Sequence, residues 1–286
     1  MHFSFVYIYL LLTLFITESQ VKGQVFCGNR PTVKWYQLKT DSLSVIFPSE
    51  LESQARDISK SGHWILQHQN KLGDQHKRIS IILQNQTTIA NGYVGIAPRR
   101  SEFFMMPELS NIELTSIPWH LQLSLHEMRH VAQFNNFNKG VAKAAGFLLG
   151  EQGQAVAMNA IIPNWFWEGD AVNQETQFTG QGRGRLPHFF NGYRSLWLDN
   201  KDYRFQKLRN GSLRDYVPDH YQLGYILVQY GENNYGKDFW RNVTQRALKM
   251  QSPAYAFQHA IKKESRQNYR QFTRSAFKYY KDSSYL

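Results

Sequence analysis

Two histidines and a carboxylate occur together in His126-Glu127-Met128-Arg129-His130, an H-E-x-x-H run. On an α-helix, side chains four apart differ by about 40° in azimuth and about 6 Å in height, so His126 and His130 leave one face together and can reach one metal ion. Glu127 lies roughly 60° beyond His130 and borders the same face. Two imidazoles plus a carboxylate suit zinc, with a fourth position left to water. Water held there has its pKa lowered to about 7, and a carboxylate beside it can take the proton. These residue types therefore point to metal-assisted hydrolysis with Glu127 as the base.

The helix that must carry them is visible in the pattern. Leu121, Leu125, Met128 and Ala132 fall at i, i+4, i+7 and i+11 and make one apolar stripe, with the histidines at its border. Pro118 suits a first helical turn. A third protein ligand is needed, and no third histidine follows at metzincin spacing, since position 133 is Gln and position 136 is Asn. The best candidate is Glu168 in Trp165-Phe166-Trp167-Glu168-Gly169-Asp170-Ala171. Its aromatic neighbours would bury one face of a second helix against the first and leave Glu168 aimed at the histidines.

HEMRH followed by WFWEGDA resembles the gluzincin zinc metallopeptidases, especially aminopeptidase N-like catalytic domains and bacterial peptidase MA-like domains. The resemblance implies that Glu168 is the third zinc ligand beside His126 and His130. His220-Tyr221-Gln222-Leu223-Gly224-Tyr225 is similar to the Y-x-x-G stretch of that family, which implies an oxyanion-stabilising role for Tyr221. Tyr235-Gly236-Lys237-Asp238-Phe239-Trp240 is similar to its Y-G-x-x-F/W turn, so the resemblance covers residues 117–245. It also implies that residues 93–106 supply an edge strand pairing with peptide backbone by β-augmentation. Two departures stand out. The gap from His130 to Glu168 is about twice that of the aminopeptidases, so residues 139–163 read as an insertion, and Glu151 at nearer spacing is a rival ligand lacking the flanking pattern. The G-x-M-E-N motif that reads a substrate's free amine is absent, so the resemblance does not imply an aminopeptidase.

The 286 residues carry a net charge of +11 and are 42% hydrophobic, enough for a sizeable core and unlike a disordered chain. An apolar run over residues 3–16 is too short to span a bilayer comfortably and fits a secretory signal ending near Val21-Lys22-Gly23, with a short membrane anchor as the alternative. The single cysteine, Cys27, excludes an intrachain disulfide, and export without disulfides suggests a bacterial periplasmic, cell-envelope or secreted protein. Basic residues are densest in the tail, where Lys262 to Lys281 interleave with Tyr269, Phe272, Phe277 and Tyr280. That spacing reads as a basic amphipathic helix, either packed with a solvated face or in weak contact with anionic surfaces. No nucleic-acid module is evident, and no stable span remains once the signal is removed.

In chain order, residues 32–38 and 42–47 read as strands, 49–72 as a helix opened by Ser49, and 78–83 as a buried strand. Residues 93–97 continue extended, Pro98-Arg99-Arg100 breaks the strand, and 102–106 resume it. From 117 onward the pattern is helical: 140–162, stopped by Pro163, then 165–177, 188–198, 218–230, 237–249 and 253 to the end. Between them 179–187 reads as a flexible basic loop, whose Gly-rich part, Gly180 to Gly184, is a candidate mobile lid and does not look like a phosphate loop. Arg99 and Arg100 are either binders of a substrate carboxylate or solvated turn residues. Asp170 is either an acceptor orienting a ligand histidine or a helix-surface residue. Tyr193, Tyr225 and His188 read as packing.

The fold expected is α+β: a small N-terminal mixed sheet with a helix, a zincin-like metal helix, then a mostly helical C-terminal subdomain. Residues 1–23 are expected to be a signal peptide, 24–116 an α/β subdomain with the substrate-edge strand, and 117–286 a helical catalytic subdomain. The function expected is that of a secreted metallopeptidase with one Zn2+ held by His126, His130 and Glu168, Glu127 as base and Tyr221 as oxyanion donor, acting on a peptide or protein. The rival class is a non-catalytic gluzincin-fold binding domain of the bacterial cell envelope. Intact Glu127 and Tyr221 favour the enzyme, because a pure binding module needs neither.

Overall fold

Alternation in Ile79-Ser80-Ile81-Ile82-Leu83 puts Ile79, Ile81 and Leu83 on one fully buried face, and this strand lies at the centre of the sheet. The computed structural model describes residues 29–68, 72, 77–107, 116–250 and 254–283. The expected signal segment and Cys27 lie outside these. Strands β1 (Trp35–Lys39), β2 (Leu43–Pro48), β3 (Ile79–Gln84), β4 (Gly92–Ile96) and β5 (Arg99–Phe104) form one sheet in the order β1-β2-β3-β5-β4. The inner strands β2, β3 and β5 are parallel, and the outer strands β1 and β4 pair antiparallel to them. Helix α1 (Glu52–His68) makes the crossover from β2 to β3 and buries Ala55, Ile58, Ile65 and Leu66. Its expected opening at Ser49 is instead a 3-10 turn, Ser49–Leu51, without a side-chain cap. The expected break at 98–100 is also narrower, because Ile96 pairs with Arg99 and only Ala97-Pro98 forms the turn. Pro98 lacks an N–H, but Arg99 and Arg100 do not, so both join the ladder.

The rest is helical: α2 (Trp119–Phe137), α3 (Gly140–Ile161), α4 (Asn164–Thr179), α5 (Asn191–Leu198), α6 (Phe205–Asn210), α7 (His220–Tyr235), α8 (Phe239–Leu248), α9 (Ala256–Ser265) and α10 (Tyr269–Ser283). The class is thus α+β, a small mixed sheet followed by a mostly helical part. From Val33 on, the chain is one compact unit. It holds two large apolar clusters. One joins the sheet and α1 to Leu123, Leu125, Met128 and Val131 of α2. The other gathers Phe137, Trp165, Phe166, Trp167, Leu223, Trp240, Phe257 and Phe272 from the helices. Helix α2 serves both and is buried nearly all round, more than its one apolar stripe requires.

Three helical readings change. The expected helix over 140–162 is two arms folded together at Gly150, whose φ of 67° favours glycine. A Cβ on Gly146 would stand 3.2 Å from the Gln154 Cβ, and one on Gly153 would stand 2.6 Å from the Ala145 carbonyl oxygen, contacts that only a folded-back chain makes. The expected basic tail helix is α9 and α10, interrupted at Arg266 with φ 59°. Helix α10 buries Phe272, Thr273 and Ala276 and exposes Arg270, Arg274 and Lys278. The Gly-rich segment holds a 3-10 turn, Arg183–Arg185, packed on α4 and α7: a Cβ on Gly182 would meet the Thr176 backbone at 2.6 Å, and one on Gly184 the Tyr225 ring at 2.3 Å. Gly182 and Gly184 are there for close approach, and Gly180 for the left-handed φ of 65° that ends α4. No helix among the described residues is long and apolar enough to cross a membrane.

Candidate metal centre

Helix α2 presents His126 and His130 from successive turns, and α4 brings Glu168 to meet them. His126 Nε2 is 3.2 Å from Glu168 Oε2 and 3.3 Å from His130 Nε2, while His130 Nε2 is 3.4 Å from the same Oε2. Ligand atoms about 2.0–2.1 Å from a tetrahedral zinc stand about 3.3 Å apart, so this near-equilateral triangle has the size of one face of such a site. The donor set, two imidazoles and a carboxylate, has the composition of an open zinc site. Glu151 is not part of it: that side chain is exposed and accepts a hydrogen bond from the Arg99 backbone N–H at 3.2 Å.

The helices meet here because of two glycines. A Cβ on Gly169 would lie 2.1 Å from the Gly224 carbonyl carbon, and one on Gly224 would lie 1.9 Å from the Trp165 carbonyl oxygen. Helices α4 and α7 therefore cross with their backbones touching. Glu168 immediately precedes one glycine and Tyr221 lies one turn before the other, so the crossing sets the two side chains beside each other. Asp219 caps α7 by accepting from the Tyr221 and Gln222 N–H groups at 2.9 and 3.0 Å, which fixes where Tyr221 starts the helix.

Each imidazole is held from behind. His130 Nδ1 is 2.8 Å from Gln133 Oε1, whose amide nitrogen donates to the Trp167 carbonyl oxygen at 3.0 Å and to Asp170 Oδ2 at 2.7 Å. With that amide donating elsewhere, Gln133 Oε1 must accept the Nδ1 proton, and Nε2 faces the triangle. Asp170 in turn forms a buried bidentate pair with Arg129 at 2.7 and 2.8 Å. Asp170 thus neither touches a histidine nor lies on the surface; it anchors the glutamine that orients one. His126 Nδ1 is 3.1 Å from Glu175 Oε2 and 2.7 Å from an Arg183 guanidinium nitrogen. These two uses of Nδ1 exclude each other. Donation to Glu175 is the one that leaves Nε2 a free lone pair, and Arg183 also bonds Glu175 through Nε at 2.8 Å. Sequence reasoning missed Glu175, Gln133 and Arg183. Glu175 is seven residues after Glu168, hence on the same face two turns on, and Gln133 is three after His130; those spacings carried the signal.

Charge and burial are finely opposed in this cluster. Burial disfavours the proton on His130, but the charge and hydrogen bond of Glu168, with Glu127 and Gln133, push it up to about 9. His126 is also raised: burial and Arg183 oppose the proton, and the bonds to Glu168 and Glu175 outweigh them. Burial would lift Glu168, yet the charge of His130 and bonds from both imidazoles hold it far below the usual carboxylate range. Glu175 is likewise held at about 2, against burial, by the Arg183 charge and by bonds from His126 and Arg183.

The triangle lies in a cleft of about 420 Å³ that Glu127, Tyr221 and Gly92 to Val94 of β4 also line. Glu127 is 4% exposed, and its Oε2 has no hydrogen-bond partner within the protein. Burial raises its pKa, against the charges of His130 and His126. A carboxylate so placed is a proton acceptor with no competing task. Burial, followed by the Glu168 charge, raises the Tyr221 hydroxyl, which therefore stays a donor. The Tyr221 ring is 6.2 Å from that of His126, with Arg183 over it at 5.3 Å. Strand β4 is an outer strand, and its side away from β5 pairs with no other strand among the described residues. Of residues 93–106, only this strand is an edge; β5 lies inside the sheet. Arg99 donates to Asn135 Oδ1 at 2.6 Å and Arg100 to Glu102 at 2.8 Å, so both are strand residues with partners of their own, outside the cleft lining. Tyr193 and Tyr225 are buried. No family model matches the chain, and no curated protein matches it.

Proposed function

We propose that the chain is a zinc-dependent peptidase of the gluzincin type, extracytoplasmic and acting on peptide or protein substrates. One observation carries this: three donor atoms at 3.2–3.4 Å from one another, beside a buried glutamate with an unpartnered oxygen. Held by His126 Nε2, His130 Nε2 and Glu168 Oε2, zinc would supply a Lewis acid and a water of lowered pKa. Glu127 would take a proton from the attacking water and pass it to the leaving amine; its raised pKa moves it toward that double duty. Tyr221 donates a hydrogen bond from its hydroxyl to the oxyanion that develops on the scissile carbonyl. Gln133 and Glu175 keep both imidazoles in the tautomer that leaves Nε2 for the metal. The open side of β4 gives an extended peptide backbone hydrogen-bond partners along the cleft.

The experiment is metal analysis joined to a peptide-library cleavage assay on wild type and Glu127→Gln. The reading expects one zinc per chain in both proteins, cleavage by wild type, and at least a roughly 10²-fold slower rate in the variant. Failure of wild type to hold stoichiometric zinc when it is offered would sink the metal assignment. Stoichiometric zinc with no cleavage across the library points instead to the binding domain.

A further inference from the structure

The bend of α3 leaves Phe147, Leu148 and Leu149 at 89%, 75% and 72% exposure, a run of three large apolar side chains at the tip of a folded-back pair of helical arms. Val156 on the returning arm is 70% exposed. A protein surface rarely leaves such a contiguous apolar projection in water. The pairing of the arms is itself well made, through Gly146 and Gly153, so the tip is a formed element with apolar residues on its outside.

We infer that this tip inserts into the interface of an anionic bilayer. Charge says which apolar medium it meets. Lys143 is exposed one turn behind Phe147 on the same arm. Along a helix that step is about 6 Å, so a tip buried to the usual interfacial depth of about 5–10 Å brings Lys143 to the headgroups. The acidic residue nearest the tip, Glu151, is turned back onto the Arg99 backbone N–H. The chain as a whole carries +11, which attracts it to an anionic surface before the apolar contact forms. The apolar run over residues 3–16 reads as a secretory signal or short anchor, which agrees with a chain that meets a membrane. The returning arm carries Asn159 to the rim of the cleft. On the returning arm, the eight helical steps from Glu151 to Asn159 rise about 12 Å, so seating the tip holds the cleft at a short, fixed distance from the bilayer.

The test is flotation of the full chain with phosphatidylcholine vesicles, with and without phosphatidylglycerol. Wild type should float with the anionic vesicles. Phe147→Ser/Leu148→Ser/Leu149→Ser should bind roughly 10-fold or more weakly, and Lys143→Glu should lose only the gain due to phosphatidylglycerol. All three proteins keep the N-terminal run, so their differences belong to the hairpin. A second measurement does not depend on the triple variant: an environment-sensitive dye on Leu148→Cys, in a Cys27→Ser background, should shift to the blue when anionic vesicles are added. Equal flotation of wild type and the triple variant, or an unmoved dye spectrum, would overturn the inference. So would lipid-free light scattering in which wild type is a dimer and the triple variant a monomer, because a second copy would then cover the tip.

Discussion

Glu168 and Glu151 separate at the level of single atoms. Glu168 Oε2 closes a triangle with two imidazole nitrogens, whereas Glu151 lies exposed on the hairpin against Arg99. Glu168→Gln replaces a charged ligand with a poor one and should weaken zinc binding by roughly 10²-fold, while Glu151→Gln should titrate like wild type in a chelator competition. Equal affinities would remove Glu168 from the ligand set. The two tyrosines of His220-Tyr221-Gln222-Leu223-Gly224-Tyr225 part in the same way. Tyr221 lines the cleft, and Tyr225 is 2% exposed within the core. Tyr221→Phe should lower kcat by roughly 10²–10³ with KM little changed, since an oxyanion bond strengthens only in the transition state. Tyr225→Phe should leave kcat nearly unaltered; the reverse result would move the oxyanion role from one to the other. At this scale much of the site was legible. H-E-x-x-H fixes its own geometry once it is helical, and the tryptophans flanking Glu168 announce a buried helix. Glu175 and Gln133 have the right helical spacing but no type that singles them out, and Arg183 has neither, because a residue that orients a ligand needs only reach and polarity, and many side chains offer both.

Helix α4 serves the site through its contact with α7, and that contact is backbone to backbone at Gly169 and Gly224. Any side chain here meets main-chain atoms, which cannot rotate away. Gly224→Ala should therefore cost about 3 kcal/mol or more, the upper end of overpacking penalties, read as a lowered denaturant midpoint. Since the same crossing sets Tyr221 beside Glu168, any folded fraction should also bind zinc more weakly. A variant as stable as wild type would mean that the helices stand further apart than described. Elsewhere, elements were legible where periodicity was local, as in β3 and α2. They were misread where tertiary contact chose the outcome. The stretch 140–162 has helical composition throughout, and only the turn conformation of Gly150 and the small residues Gly146 and Gly153 make it a hairpin. Thr179 to Pro187 reads as a loop because glycine signals freedom and close packing alike, and here Thr176 and Tyr225 occupy the room that Gly182 and Gly184 leave.

Across the whole molecule, α2 belongs to both apolar clusters, and Glu168 joins it to the helical one from α4. A metal ion at the triangle would therefore tie two halves of the core, and its loading should show in global stability. At zinc about 100-fold over Kd, linkage gives about 2.7 kcal/mol, which for a domain of this size is roughly 5–10 °C in Tm. The pH dependence has a definite sign. His130 has its pKa raised to about 9 in the fold, against about 6.5 when unfolded. Its protonated form thus stabilises the zinc-free chain fully below about 6.5, and that contribution is lost as pH rises through about 9. His126 shifts in the same direction, and the lowered carboxylates Glu168 and Glu175 stay ionised across this window. Tm of the zinc-free protein should therefore fall from pH 6.5 to 9. Zinc needs both imidazoles unprotonated, so its apparent affinity should rise over the same range, with proton release on binding. The two melting curves, with and without zinc, should diverge as pH increases, and Glu168→Gln should abolish most of the gap. A zinc increment that stays flat with pH, or one of equal size in Glu168→Gln, would show that the ion binds somewhere other than between α2 and α4.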